Sequence, residues 1–189
     1  MRGKLIVFTG LDGSGTSSVA EELHKTDSTS TLFSSIGDPY TICRDQINRR
    51  VGIISPSAHY LFYLSAVVYS SALIEEKLKT GNVYCVRYLI DTVVSHRVAG
   101  LNVNLVYETD SYKIIQPDLI IFLDVNESLR QERLEKRGKG YLDRKLDNTE
   151  FRLRFLAEFQ KLSSSFVAVQ VSGKSIAQIS EEIMSMINR

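Results

Sequence analysis

The chain has 189 residues, of which 43% are hydrophobic and 24% charged, so it is long enough for one ordinary core and short for two. Its 23 Lys and Arg residues against 22 Asp and Glu give a net charge of +1, which argues against a protein built around nonspecific nucleic-acid binding. The longest apolar stretch, around residues 60–69, is shorter than the roughly 20 residues that a membrane span needs. The N-terminus lacks the apolar core and cleavage site of a signal peptide. We therefore expect one cytoplasmic domain over residues 1–189, with neither a membrane nor a nucleic acid as partner.

Short apolar runs rich in β-branched and aromatic residues predict the strands. They occupy residues 5–8, 31–33, 83–86, 119–123 and 166–171. Each run is separated from the next by enough chain for at least one helix. Strands that alternate with helices predict a parallel sheet covered on both faces.

The helices are predicted from caps and periodicity. Residues 57–80 are apolar almost all round, follow Ser55-Pro56 and end at Gly81, which predicts a long, mostly buried helix. Asn126-Glu127 can cap a helix that runs to Gly138. Asp147 with Glu150 resembles a capping box that opens a helix through Lys161, and residues 139–146 read as a short polar linker.

The two cysteines and three histidines do not predict a metal site. Cys43 and Cys85 form no C-x-x-C pair, and the histidines lack the spacing of metal ligands. Because a chain of this length needs no disulfide, we expect both cysteines to be reduced and buried.

A glycine-rich loop follows the first apolar run and opens a helix. Its sequence, Gly10-Leu-Asp-Gly-Ser-Gly-Thr-Ser-Ser18, has the layout G-x-x-x-x-G-K-[ST] of a phosphate-binding loop, with Thr16 in place of the lysine. Glycines let backbone N–H groups converge on a phosphate, and the Ser17 hydroxyl is the expected ligand of Mg²⁺. The residues predicted to bind ATP phosphates are Gly10, Gly13, Ser14, Gly15, Thr16, Ser17 and Ser18. An ordinary strand-to-helix turn is the alternative.

Several segments in order resemble the thymidylate kinase family of P-loop nucleoside monophosphate kinases. Residues 8–17 look like the family's F-E-G-x-D-G-x-G-K-[ST], residues 85–88 like its D-R-[YH], and residues 117–125 like its P-D-L-x-x-x-L-D-V. Arg137-Gly138 followed by Leu142-Asp143-Arg144 resembles its lid, R-G-x-x-D-R. The resemblance implies a three-layer α/β P-loop kinase fold with a five-stranded parallel sheet and a short lid at about residues 138–147. It also implies ATP with Mg²⁺, a nucleoside monophosphate acceptor and a homodimer.

The resemblance further implies residue roles. Arg87 and the lid residues Arg137 and Arg144 match catalytic arginines that neutralise the phosphoryl group in transfer. The residues implied in acceptor binding are Asp12, Asp38, Arg49, Phe62, Arg87, Tyr88, Asp91 and His96. Arg49 and Arg87 would hold the acceptor phosphate, and Phe62 would stack on the base. Ala66 replaces the arginine that contacts thymine in the family, so we expect little preference for dTMP among pyrimidine monophosphates.

Two departures from the family pattern keep three functions open. Thr16 removes a cation and Val86 removes the Asp of the D-R-Y motif from the same site. The leading hypothesis is a nucleotide kinase that uses dTMP or a related pyrimidine nucleotide. The alternatives are a catalytically silent nucleotide-binding protein and a kinase for another nucleotide or nucleoside.

Basic residues near the lid offer compensation for the missing lysine. Residues 130–145 carry seven basic and three acidic side chains. Arg130, Glu132 and Glu135 are expected to lie on a solvated helix face.

Overall fold

The computed structural model describes residues 2–188, apart from the side chains of Tyr141 and Leu142. Met1, Arg189 and the side chain of Leu142 in the lid motif therefore lie outside the described part. The described residues form a parallel five-stranded sheet in the order β2-β3-β1-β4-β5. The strands are β1 (Leu5–Thr9), β2 (Thr31–Ser34), β3 (Val83–Val86), β4 (Leu119–Asp124) and β5 (Val167–Gln170). The predicted strands and the parallel sheet are confirmed.

Helices connect the strands and cover the sheet. They are α1 (Thr16–Thr26), α2 (Thr41–Gln46), α3 (Gly52–Ile54), α4 (Pro56–Lys77), α5 (Leu89–Val98), α6 (Glu127–Arg137), α7 (Tyr141–Leu146), α8 (Thr149–Gln160) and α9 (Ile176–Ile187). A π-helical turn (Ile47–Val51) joins α2 to α3, and a 3₁₀ turn (Ser163–Ser165) precedes β5.

The central strand β1 divides the core into two layers. Leu5 and Val7 pack with residues of α4, α5 and α8, whereas Ile6 and Phe8 pack with α1 and α9. Successive strand residues point to opposite faces, so an unbroken apolar run is what a strand covered on both faces requires. β1 pairs with β3 and β4, which places the glycine-rich loop at the carboxyl edge in the middle of the sheet.

Helix α4 differs from its prediction in burial. Ser55 caps it by accepting a hydrogen bond from the Ala58 amide, as Ser55-Pro56 predicted. The prediction that α4 is mostly buried is wrong, because only one side of it is buried, and Leu61 is 60% exposed and Tyr69 42% exposed. The helix contributes only one face to the core. By length and apolar composition alone α4 could also cross a membrane, which corrects the expectation that no stretch is long enough.

The lid segment also differs from its prediction. Residues 139–146 do not form a polar linker, since α7 occupies most of them. The Asp143 carboxylate accepts the Gly140 amide at 2.8 Å and satisfies a free N–H at the start of this helix. The next helix, α8, is capped by Asn148, which accepts the Phe151 amide, and not by Asp147.

Candidate active site

The glycine-rich loop has the backbone shape of an anion site. Gly13 and Gly15 have φ angles of 90° and 98°, which other residues rarely adopt. A Cβ on Gly13 would lie 3.0 Å from Cγ of Arg130, so the loop also lies too close to α6 for a side chain. Helix α1 begins at Thr16, and the N–H groups of its first turn have no partner within the helix. These groups and the helix dipole favour a bound phosphate.

Three hydroxyl side chains surround the start of α1. Ser17 and Ser18 are exposed, so either hydroxyl can reach a ligand. Ser14 is 1% exposed, and its Oγ has no hydrogen-bond partner among the described residues. Such an unpaired buried hydroxyl is uncommon, and it leaves this loop with capacity to bind.

The lysine position is occupied by a buried threonine. Thr16 is 7% exposed. The guanidinium of Arg133 lies against the loop, where it donates to the carbonyl oxygens of Ser14 at 3.0 Å and Gly13 at 3.3 Å. A carbonyl and the N–H of the same peptide unit point in opposite directions. Arg133 therefore holds the loop through two carbonyl oxygens, on the side of these peptide units opposite to the N–H groups of Ser14 and Gly15.

Arg87 is held between two carboxylates. Its Nη2 lies 2.7 Å from Asp12 Oδ1 and its Nη1 lies 2.7 Å from Asp91 Oδ1, and it also donates to the Gly10 carbonyl. Burial alone would lower the pKa of Arg87, but Asp91 and Asp12 raise it above its ordinary value. Its φ of 66° lies in the left-handed region, a strained conformation that clusters at functional sites. Asp91 is held in turn by the Thr9 hydroxyl at 2.7 Å.

A cavity of about 740 Å³ opens beside this cluster. Several predicted site residues line it, and α7 of the lid contributes to its wall. The predicted residues on the wall are Gly10, Asp12, Arg49, Arg87, Tyr88, Asp91 and His96. The volume is that of a small-molecule site. Residues far apart in the sequence thus meet beside the glycine-rich loop, where its sequence predicted an active site.

A second cavity, of about 420 Å³, is lined by Arg49, Lys139, Gly140 and Arg144. Arg49 lines both cavities and therefore connects them. Lys139 is paired with Asp147 at 3.0 Å. The guanidinium groups of Arg49 and Arg144 have no hydrogen-bond or ion-pair partner in the described part of the chain. Two unpaired guanidiniums in one cavity favour an anionic ligand.

Comparison with known proteins agrees with this geometry. The profile of a family described as thymidylate kinase matches residues 8–183. The chain belongs to the thymidylate kinase family. The members of this family are nucleoside monophosphate kinases. A probable thymidylate kinase of Methanococcus maripaludis is 26% identical over 200 residues, which cover 97% of this chain and 94% of that protein.

Two solved structures share the fold. Thymidylate kinase from Candida albicans has a TM-score of 0.75 at 19% identity, over 99% of this chain and 92% of that chain. Deoxyadenosine kinase from M. mycoides, solved with dCMP and dCDP, has a TM-score of 0.65 at 17% identity, over 97% of this chain and 98% of that one.

The lid motif of the thymidylate kinase family forms a network that ties the lid to the loop. Arg137 pairs with Asp143 at 2.8 Å and remains 58% exposed, so it does not reach either cavity in this arrangement. Arg130 was expected on a solvated face, but its side chain is 0% exposed. It donates to Glu127, to the Asp12 carbonyl in the loop and, more weakly, to the Leu146 carbonyl in the lid.

Two predicted acceptor residues do not line the large cavity. Phe62 packs edge-on against Tyr40, with ring centroids 5.5 Å apart. Asp38 is exposed and accepts a hydrogen bond from the Thr41 hydroxyl. The neighbouring positions His59 and Tyr63 of α4 line the cavity instead. The side of α4 that faces the cavity cannot be predicted from a helix that is apolar almost all round.

The residues at this site suit Mg²⁺ that binds together with a nucleotide. They suit a metal ion held by protein side chains alone less well. No group of three or more His, Cys, Asp or Glu side chains capable of holding a metal occurs among the residues that the structure describes. The carboxylates of Asp12 and Asp91 are both engaged with Arg87. The Ser17 hydroxyl is accessible, and Mg²⁺ commonly takes most of its ligands from phosphates and water.

Proposed function

We propose that the protein transfers the γ-phosphoryl group of ATP to a pyrimidine nucleoside monophosphate, dTMP or a close relative. The observation that carries this proposal is the position of the large cavity, which extends from the phosphate loop to Arg49. A donor phosphate at one end and an acceptor phosphate at the other would then approach each other between the loop and the lid. Phosphoryl transfer depends chiefly on such positioning and on neutralisation of charge.

Each charged group has a role in this proposal. The first-turn amides of α1 bind the donor phosphates, and Ser17 holds the Mg²⁺ that accompanies them. Arg49 and Arg87 bind the acceptor phosphate. Arg144, which is unpaired and lies in the same small cavity as Arg49, neutralises the group in transfer. Mg²⁺, when bound, would supply positive charge in place of the lysine that Thr16 replaces, and it would be held without the carboxylate that Val86 replaces.

Membership of the family and the accessible apolar residues of α4 support a homodimer. Leu61, Tyr69 and Leu73 recur at four- or eight-residue spacing and are 60%, 42% and 39% exposed, so they form one stripe along the helix. A stripe of this kind on a long helix suits pairing with the same helix of a second copy. We place this dimer in the cytoplasm.

Release of ADP tests the activity. The purified protein is given ATP with dTMP, dUMP, dCMP, dAMP or thymidine, with and without Mg²⁺. We expect ADP release with pyrimidine monophosphates, dependent on Mg²⁺ and absent with thymidine. Arg49→Gln should raise KM for the acceptor roughly ten- to hundredfold, since it removes a charged hydrogen bond. Arg50→Gln, at the exposed neighbouring position, is the control and should change little. Release with thymidine but not with monophosphates would overturn the proposal.

A silent nucleotide-binding protein is the second candidate, favoured by Thr16 and Val86. It predicts that ATP binds in calorimetry while no acceptor stimulates ADP release. Binding measurements alongside the assay therefore separate the two candidates.

A further inference from the structure

A chain of four polar side chains lies in the wall of the large cavity. His96 and His59 are joined by Nε2 and Nδ1 at 2.8 Å, and an amide atom of Asn48 lies 3.0 Å from Nε2 of His59. The Tyr63 hydroxyl lies 2.7 Å from the same amide atom. All four residues line the cavity. Only His96 is among the acceptor residues that the family resemblance implies.

The direction of each hydrogen bond in this row of side chains follows from His96, at one end of the row. Nδ1 of His96 lies 2.7 Å from the Thr92 carbonyl, which can only accept, so this nitrogen carries a proton. In a neutral His96, Nε2 is then an acceptor, and Nδ1 of His59 must donate to it. A neutral His59 is left with an acceptor at Nε2, which faces Asn48.

Both rings are neutral at physiological pH. Burial lowers the pKa of His59 to about 4, helped by the repulsion that a charged His59 would meet from a protonated His96 and from the Lys145 ammonium. Burial also lowers the pKa of His96, against the effect of its bond to Thr92. Because Nε2 of His59 needs a donor, the Asn48 atom that faces it is the amide nitrogen and not the oxygen.

The same assignment decides what Asn48 offers to a ligand. Its amide nitrogen donates one hydrogen to His59 and the other to the oxygen of Tyr63, which together use both N–H bonds. The amide oxygen then has no partner within the described residues, and Asn48 lines the cavity. Because the Tyr63 oxygen accepts this bond, the hydroxyl hydrogen of Tyr63 is not donated to Asn48. The wall thus presents an acceptor beside a donor.

We infer that Asn48 and Tyr63 read the acceptor base, Asn48 by accepting the N3–H of a thymine or uracil ring and Tyr63 by donating to an adjacent ring carbonyl. His59 and His96 are positioning residues that fix the amide of Asn48. This inference rests on the proposed function, and it names the group that selects the base. The replacement of an arginine by Ala66 led us to expect little preference for dTMP. Here the polar group that contacts the base comes instead from Asn48, in the π-helical turn.

The test compares dTMP with N3-methyl-dTMP, which keeps the sugar and phosphate but has no hydrogen at N3. Titration calorimetry gives both affinities, and ADP release gives both values of kcat/KM. We expect N3-methyl-dTMP to bind roughly ten- to hundredfold more weakly, since it leaves the Asn48 oxygen unsatisfied. Equal binding of the two ligands, with dTMP phosphorylated, would overturn this inference and leave the proposed function intact. Failure of every monophosphate to bind would instead overturn the proposed function.

Variants separate base reading from a structural role. Asn48→Ala should lower the affinity for dTMP to that for N3-methyl-dTMP and leave the latter unchanged. His59→Phe should reduce the difference between the two ligands in the same way, without changing KM for ATP. Gln46→Ala, on the exposed face of α2, is the control and should keep the full difference. Equal weakening of both ligands in Asn48→Ala would show that Asn48 only supports the pocket, and would overturn the inference.

Discussion

Thr16 is the residue at which this site departs most from a phosphate loop with its lysine. Its side chain is buried, and the nearby guanidinium of Arg133 is engaged by the carbonyl oxygens of Gly13 and Ser14. Arg133 therefore adds positive charge beside the loop through these contacts, and the α1 dipole and any cation that the lid brings add to it. A preorganised charged donor in an active site typically contributes about 2.7 to 4 kcal/mol to transition-state stabilisation.

Restoring the lysine should strengthen the donor site. We expect Thr16→Lys to raise kcat/KM for ATP roughly ten- to hundredfold, because the new ammonium reaches the β- and γ-phosphates. Steady-state ADP release against ATP concentration measures this effect. Thr26→Lys makes the same substitution at an exposed position at the other end of α1 and should give a much smaller gain. High activity of the natural protein with no gain in Thr16→Lys would mean that the lid already supplies the cation.

Residue patterns predicted the loop and the cavity wall better than they predicted burial. Gly10, Asp12 and Arg87 meet as expected because a motif fixes the local backbone and the sheet edge fixes the rest. Arg130 was misassigned because a helix with Glu127 three residues earlier also has the pattern of a surface ion pair. Cys43 was likewise expected to be buried and is exposed. Only the packing of α6 on the loop, which is a tertiary contact, buries Arg130.

The element that joins the loop to the lid is α6. Glu127 at its start receives two hydrogen bonds from Arg130 at 2.7 and 2.8 Å and lies 3.2 Å from Nε of Arg152 on α8. The hydrogen bonds of the carboxylate to Arg130 and Gln131 lower the pKa of Glu127, against the effect of burial. One carboxylate thus balances a fully buried guanidinium that contacts both the loop and the lid.

Removal of that carboxylate should destabilise the fold. We expect Glu127→Ala to lower the free energy of unfolding by about 3 kcal/mol, because Arg130 would remain buried without its partner. Urea unfolding followed by circular dichroism measures the loss. Glu132→Ala is a matched control on the same helix, since its pair with Lys136 is largely exposed and contributes little to stability. Equal effects of the two substitutions would contradict this account of Arg130.

Helices and strands were predicted well where the local sequence carries a clear apolar pattern or a helix cap. The strands follow from apolar runs that both faces of the sheet bury, and Asn126 caps α6 as its sequence indicated. Helix α7 was missed because it is only six residues long, and a single pair of leucines at i,i+4 spacing, Leu142 and Leu146, is too short a pattern to indicate a helix. It is fixed by the Asp143 cap and by Leu146, which is 1% exposed in the core.

The quaternary structure can be tested at the exposed stripe of α4. We expect Leu61→Glu to convert a homodimer to a monomer, because it places a charge in an apolar contact between helices. Light scattering coupled to size exclusion gives the molar mass. Leu153→Glu changes a residue of similar exposure (57%) on α8 and should leave the mass unchanged. A natural protein that is monomeric at every concentration would contradict the proposed dimer.

The paired histidines make the stability of the whole molecule depend on pH. Unfolded His59 binds a proton near its ordinary pKa of 6.5, whereas folded His59 does so only near 4. Between these values the unfolded chain binds more protons, so the free energy of unfolding falls as the pH is lowered.

We expect a loss of about 1 to 2 kcal/mol between pH 7 and pH 5, allowing for the partial exposure of His59. Urea unfolding at the two pH values measures it at one protein concentration. His59→Gln should remove most of the difference. His24→Gln, on α1, should retain it, and an equal loss of pH dependence in both variants would contradict the assignment.

The central position of β1 in the sheet also affects how the protein folds while it is being synthesised. Ile6 pairs with Tyr84 on one side and with Leu119 on the other, so 119 − 6 = 113 residues of chain separate the strand from its second neighbour. At a synthesis rate of roughly 5–20 residues per second, β1 leaves the ribosome about 6 to 20 s before β4 is available to cover it. During this interval a strand with four consecutive apolar residues, Leu5 to Phe8, has an open hydrogen-bonding edge. The strand that carries the phosphate loop is thus the first to be made and among the last to be protected, which makes chaperone binding during translation most important for this segment.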